Sequence, residues 1–244
     1  NPTVGAGQFI DAPDRPRLPE EDATMLMIRI NDESSTYRPV HIDWKTGGGQ
    51  VIGETCHWLD LACWLLDAEP IRVYASGSFR LKHIVTLDFP GGHQACIWFS
   101  PTGTFRYPKE LYELTNHNAL FRNLCFVETE IHGRGEPEIE YFDLQYDELP
   151  DVEGKGLDGY VAKLNKRARL HDESEGRQWP EVAPDKGHFH LLDAFADAII
   201  NDGASPIDEF AGARATYLSL RAIESIRLGA SLPTNQEDMN FFVN

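Results

Sequence analysis

Between residues 72 and 132 the chain runs through short segments in which apolar and polar residues alternate, each closed by Gly, Pro or Asn. The segments are 72–76, 83–89, 94–99, 111–115, 119–124 and 126–132. A period of two is the strand signature, and it gives each strand one apolar face. Connections this short join antiparallel neighbours, because a parallel crossover consumes a dozen or more residues. Phe89-Pro90-Gly91-Gly92-His93 is the sharpest turn signal among them: proline presets one corner and glycine supplies positive φ. The short apolar run 25–30 and the segment 139–144 add two candidate strands.

From Gln50 the period changes. Val51, Ile52, Thr55, Leu59, Ala62, Cys63 and Leu66 recur at helical spacing until Pro70 closes the element. The glycines just before it predict a tight turn with exposed N–H groups at the helix start. Residues 160–170 read as a short basic helix. Two helices follow, over 187–201 with Leu191, Leu192, Phe195, Ile199 and Ile200 apolar, and over 208–228 with Ala215, Leu218, Leu220, Ile223 and Ile226 apolar. Ser205-Pro206 precedes the second, and Asp208-Glu209 charge its first turn. This order predicts an α+β domain: a large, mostly antiparallel open β-sheet with helices packed on one face. Residues 1–24, rich in Pro, Asp and Gly, read as an irregular lead-in, leaving 25–244 as one domain with a sizeable core.

Acidic residues outnumber basic ones by 39 to 22, a formal charge of −17, which repels phosphate backbones and anionic lipid. Neither nucleic acid nor membrane is expected as a partner. The longest apolar stretch is broken by Asp60 and Asp67, far short of a bilayer span. Cys56, Cys63, Cys96 and Cys125 form no C-x-x-C pair and no zinc spacing, so free thiols in a reducing cytoplasm are expected. Trp44, Trp58, Trp64 and Trp98 are of the type that forms a sugar platform, but they lie near apolar runs and read as core. His41, His57, His83, His93, His188 and His190 are scattered without a metal signature, so no metal is expected. No G-x-G-x-x-G opens a helix after a strand. Val4–Ile10 carries two glycines but no βαβ unit, so no cofactor-binding residue is assigned.

His57 is the main candidate for chemistry. On an α-helix Glu54 lies three residues before it and Asp60 three after, so both carboxylates neighbour one imidazole. Oxidising an alcohol needs a base for the hydroxyl proton while hydride leaves carbon, and a carboxylate-oriented histidine suits that role. The same spacing also suits a helix histidine held by a local salt bridge. Lys186-Gly187-His188, just before the next helix, is a second polar cluster able to hold substrate hydroxyls or an anionic group, or simply to be a solvated helix start. His190 and Asp193 share that neighbourhood.

At Gly47-Gly48-Gly49 and His57-Trp58-Leu59-Asp60 the sequence resembles the C-terminal domain of the Gfo/Idh/MocA oxidoreductases, with their glycine turn and H-x-x-D helix. Ile52–Asp60 resembles a subgroup in which this domain is fused to an alcohol-dehydrogenase-like part. The likeness continues through Lys186-Gly187-His188, Phe195–Ile199, Ser205-Pro206-Ile207, Ala213–Thr216 and Ser225–Gly229, from about residue 25 to residue 235. The resemblance implies a substrate-binding and oligomerising domain whose open sheet forms a homo-oligomer face. It implies an N-terminal Rossmann domain, absent from this chain, that contacts NAD or NADP. The implied substrate is a sugar, inositol or related polyol, with catalytic His57, Glu54 and Asp60, and Lys186 and His188 on substrate. Many relatives carry aspartate where Gly53 stands, and the Rossmann half with its E-K-P lysine is missing, so the isolated chain is not expected to be active. The alternative is a freestanding, non-catalytic dimerisation or ligand-binding module of the same fold.

Overall fold

The strand β1 (Met25–Asn31) is the hub of a nine-stranded sheet. The other principal strands are β2 (Arg72–Gly77), β3 (His83–Asp88), β4 (Gln94–Ser100), β5 (Glu110–Asn116), β6 (Ala119–Leu124), β7 (Glu128–His132), β8 (Glu138–Tyr141) and the two-residue β11 (Leu232–Pro233). Their order is β11-β2-β3-β4-β1-β5-β6-β7-β8 in a computed structural model that describes residues 22–235. Most of the predicted lead-in therefore lies outside the described residues. All neighbours in the sheet pair antiparallel except β1 and β4. β9 (Leu144–Asp147) and β10 (Val182–Pro184) form a separate ribbon.

The predicted α+β architecture holds. Register aligns the inward residues into rows that cross the sheet. One row is Val73–Leu87–Ala95–Leu26–Leu114, and the next is Ala75–Val85–Ile97–Ile28–Tyr112. After the single turn α1 (Pro39–Ile42), two longer helices cover these rows, α2 (Cys56–Leu66) and α5 (Glu209–Leu228), through Leu59, Ala62, Leu218, Ala222 and Ile223. Each fully buried leucine or isoleucine there stabilises the fold by about 1.5–3 kcal/mol. The Asp208 side chain caps α5 by accepting from the Ala211 N–H at 3.0 Å. Ser225 accepts the Ala75 N–H at 2.8 Å, tying α5 to a strand near the sheet edge.

Three details depart from the sequence reading. The strand expected over 126–132 starts at Glu128, because Cys125 and Phe126 both take positive φ within the three-residue turn 125–127 between β6 and β7. Of the four tryptophans expected in the core only Trp58 is buried, and Trp64 and Trp98 project from outward positions. The helices are not all gathered on the sheet: α3 (Gly156–Glu173) packs over a small cluster of Cys125, Val127, Leu164 and Val182, and α4 (His188–Ile200) buries no residue.

Candidate functional site

The turn that delivers His57 is built by glycine. Gly49 has φ +82°, and a Cβ there would meet the Phe79 carbonyl oxygen at 2.7 Å. That close approach lets the Val51 N–H donate to Phe79 O at 3.1 Å. The first N–H of the helix is thus spent on the β2–β3 connection and is not offered to a ligand. Val51–Thr55 then winds as a π-turn before α2 begins at Cys56. Such a turn holds more residues than an α turn and changes the phase of everything N-terminal to it relative to α2. Thr55, buried within it, donates its hydroxyl to His83 Nε2 at 2.6 Å, while His83 Nδ1 donates to Leu81 O at 2.8 Å. Burial pushes the His83 imidazole down to about 4, so the ring is neutral and serves as a strut.

His57 lies on the exposed side of α2, and among the described residues no side chain hydrogen-bonds its ring. It lines two adjoining clefts, of about 350 and 450 Å³, closed on the other side by Ile207, Ala211 and the start of α5. Asp60 lines both clefts with it. Asp60 accepts from Arg214 of α5 at 2.7 Å, and Arg214 also reaches Glu69 at 2.8 Å. A planar guanidinium held by two carboxylates fixes the Asp60 side chain in place.

Glu54 goes elsewhere. It accepts from the Lys109 ammonium at 3.0 Å, and Lys109 also lies 3.3 Å from Asp32. Burial pulls the Lys109 ammonium down, but the Glu54 and Asp32 carboxylates outweigh it and hold it above the ordinary lysine value. Two carboxylates around one imidazole, as α-helical spacing suggested, is not the arrangement present. The π-turn puts Glu54 out of the α phase, and Arg214 occupies Asp60.

Lys186 donates to Glu110 Oε1 at 2.6 Å, with its ammonium 5.6 Å from the centroid of the Phe126 ring. It lines neither His57 cleft, and nor does His188, which is exposed in the first turn of α4. Glu110 is buried on the inward face of β5, and burial together with the Glu110 charge pushes the neighbouring Tyr112 hydroxyl well up. Lys109, Glu110 and Arg214 were given no role by sequence reasoning, and His83 was weighed only as a metal ligand. For His83 and Glu110 a signal existed: each alternates with inward apolar residues of its own strand.

Among the described residues no group of three or more His, Cys, Asp or Glu is arranged around a metal site. At the glycine turn the Gly47 N–H donates to Asp43 O at 2.9 Å and the Val51 N–H to Phe79 O at 3.1 Å, so neither of these two is offered to a ligand. No helix among the described residues is long and apolar enough to cross a membrane.

Residues 23–133 match the GFO/IDH/MocA C-terminal domain family. No curated protein sequence matches the chain. Many solved structures share its fold, and three illustrate it. The oxidoreductase domain protein from Kribbella flavida superposes with a TM-score of 0.63 at 10% identity, over 89% of this chain and 60% of its own. The aldose-aldose oxidoreductase from Caulobacter crescentus, complexed with glycerol, gives 0.57 at 12% identity, over 86% and 55%. The WlbA dehydrogenase from Bordetella pertussis, in complex with NADH and UDP-GlcNAcA, gives 0.55 at 17% identity, over 88% and 58%. At these identities the likeness establishes the fold, and the chain spans little more than half of each relative. The chain thus has the fold of these oxidoreductases, and residues 23–133 within it match the GFO/IDH/MocA C-terminal domain.

Proposed function

We propose that this chain is the substrate-binding part of an NAD(P)-dependent dehydrogenase that acts on a hydroxyl of a sugar, inositol or related polyol. The observation that carries the reading is His57: an imidazole that no side chain among the described residues bonds, on an open cleft, beside a carboxylate fixed by Arg214. In this reading His57 takes the proton of the substrate hydroxyl. Asp60 orients the substrate or the ring from the next turn, and Glu54 acts through Lys109. Lys186 and His188 flank the start of α4, where substrate groups extending beyond the cleft would meet them. The cofactor belongs to a nucleotide-binding domain outside this chain. The relatives solved with NADH and with NAD+ support that assignment.

The outward face of the sheet supports self-association. Tyr74, Ile84, Trp98, Met25 and Met27 lie on neighbouring strands β2, β3, β4 and β1, all exposed and all on one face. That patch is also what favours the second reading, a module that dimerises and carries no chemistry. In the polypeptide that joins this chain to a nucleotide-binding domain, His57→Ala is expected to lower turnover by about 10²–10⁴-fold with cofactor affinity unchanged. Near-wild-type turnover in that variant would refute the assignment of His57, and absence of turnover in the parent polypeptide would leave the second reading standing. The chain alone is expected to give no heat of NAD(H) binding in calorimetry, and micromolar binding would overturn the division of labour.

A further inference from the structure

Helix α2 is entered through a turn that carries one residue too many. Val51–Thr55 winds as a π-turn, and beyond it His57 takes the exposed side of α2 while Glu54 goes to Lys109 at 3.0 Å. An uninterrupted α-helix would set Glu54 one turn before His57 on the same face. A π-turn is a rare form that needs something to hold it. Backbone holds its start: the Val51 N–H donates to Phe79 O at 3.1 Å and the Gly53 N–H to Gly49 O at 2.9 Å. A side chain holds its end. Thr55, the last residue of the turn, is fully buried and donates its hydroxyl to His83 Nε2 at 2.6 Å.

His83 is itself fixed to the sheet. It lies on the inward face of β3, 3% exposed, in register with Phe99 of β4. Its ring stacks on the Phe99 ring at 5.0 Å, 8° from parallel, and its Nδ1 donates to Leu81 O at 2.8 Å. The β2–β3 connection that carries Leu81 closes tightly on Gly77, where φ is +102° and a Cβ would meet Lys82 O at 2.6 Å. The same connection carries Phe79 O, so one hairpin grips both ends of the π-turn. Packing does not account for the pair, because valine has the shape of threonine. A buried hydroxyl–imidazole bond adds little net stability over an apolar pair of the same shape, and what it adds is direction.

We infer that His83 is a positioning residue for His57: through Thr55 it holds the π-turn, and the held turn keeps Glu54 on Lys109 and away from the His57 imidazole. The inference rests on the function proposed above and adds the residue that fixes the geometry of its base. Without the Thr55–His83 bond the turn rewinds towards the α phase, and Glu54 swings to the His57 face. Its carboxylate then competes with a substrate hydroxyl for the ring. The Nε2 lone pair that accepts from Thr55 exists only on the neutral imidazole, the form that burial maintains.

Thr55→Val, made in the polypeptide that includes the nucleotide-binding domain, removes the hydroxyl and keeps the shape. It is expected to lower kcat by about 10²-fold with substrate KM and cofactor affinity unchanged. Thr55→Ser restores the hydroxyl and should restore kcat. His83→Leu should match Thr55→Val, and the double variant should lose no more than either single change, because both act through one bond. Full kcat in Thr55→Val, or losses that multiply in the double variant, would overturn the proposal. In the chain alone, amide hydrogen exchange over residues 53–57 should quicken about 10-fold in Thr55→Val and return to the parent rate in Thr55→Ser. Unchanged exchange in Thr55→Val would overturn the proposal as well. Failure of the proposed site is separable: full turnover in His57→Ala with quickened exchange in Thr55→Val sinks the site and keeps His83 as the holder of the turn. Turnover lost in His57→Ala, with full kcat in Thr55→Val, does the reverse.

Discussion

Helices α5 and α4 are neighbours in the chain and both carry an apolar stripe, yet α5 buries Tyr217, Leu218, Ala222 and Ile223 while α4 buries nothing. Composition does not separate them, for α4 has the greater density of large apolar residues. What separates them is the surface each meets. α5 lies on β2 and α2, whose inward side chains interdigitate with it, and α4 has no such floor. A stripe states that a helix needs a partner and leaves open whether the partner is in the same domain.

That contrast can be broken or sharpened by substitution. The largest effect is expected at Leu218, fully buried in α5: Leu218→Ala should cost roughly 2–5 kcal/mol in urea unfolding. If Leu192→Ala in α4 cost as much, α4 would be packed within this domain after all. Next comes the tie at the root of α4. Lys186→Met strands the buried Glu110 carboxylate and should cost on the order of 3 kcal/mol, whereas Lys186→Met with Glu110→Leu should be milder than the single change. A double variant less stable than the single would show that the pair is not the tie.

A pH effect of intermediate size belongs to the α2–sheet side. Unfolded, His83 titrates near 6.5; folded, its pKa lies near 4. Between those values the unfolded chain takes up a proton that the folded chain refuses. Stability is therefore full above about pH 6.5 and falls as pH drops towards 4, by at most about 1.4 kcal/mol per pH unit. Urea curves at pH 7, 5.5 and 4.5 should show that limb in the parent and a flatter one in His83→Gln; equal slopes would assign the limb to other groups. The smallest effect is expected from Ile199→Ser in the chain alone, within about 0.5 kcal/mol, because the side chain already faces water.

Strands and helices were legible because period two and period 3.6 are local properties of the chain. Their boundaries failed where backbone chemistry intervened, as at Cys125 and Phe126, whose positive φ no propensity announces. At the site, His57 was legible as a residue but not as an environment. The π-turn over Val51–Thr55 reads in sequence as ordinary helix, and Arg214 reaches Asp60 from the far end of the chain. Lys186 was visible as a cation, but its carboxylate lies on β5, one position before the predicted strand began. Alternation with Tyr112 and Leu114 would have turned Glu110 inward had the strand been extended by that residue.

The placement of β1 also governs how the chain must fold in time. Ile28 is registered with Ile97 of β4 on one side and Tyr112 of β5 on the other, so the first strand of this sheet among the described residues is its middle. A nascent chain that has not yet reached Asn116 holds β1 with at least one long edge unpaired. Closing the sheet requires distant loops to meet, which slows the search and leaves Leu26, Ile28 and Ile30 exposed to other chains until it ends. Synthesis that stalls before β5 should therefore yield aggregate sooner than a smaller, soluble half-domain.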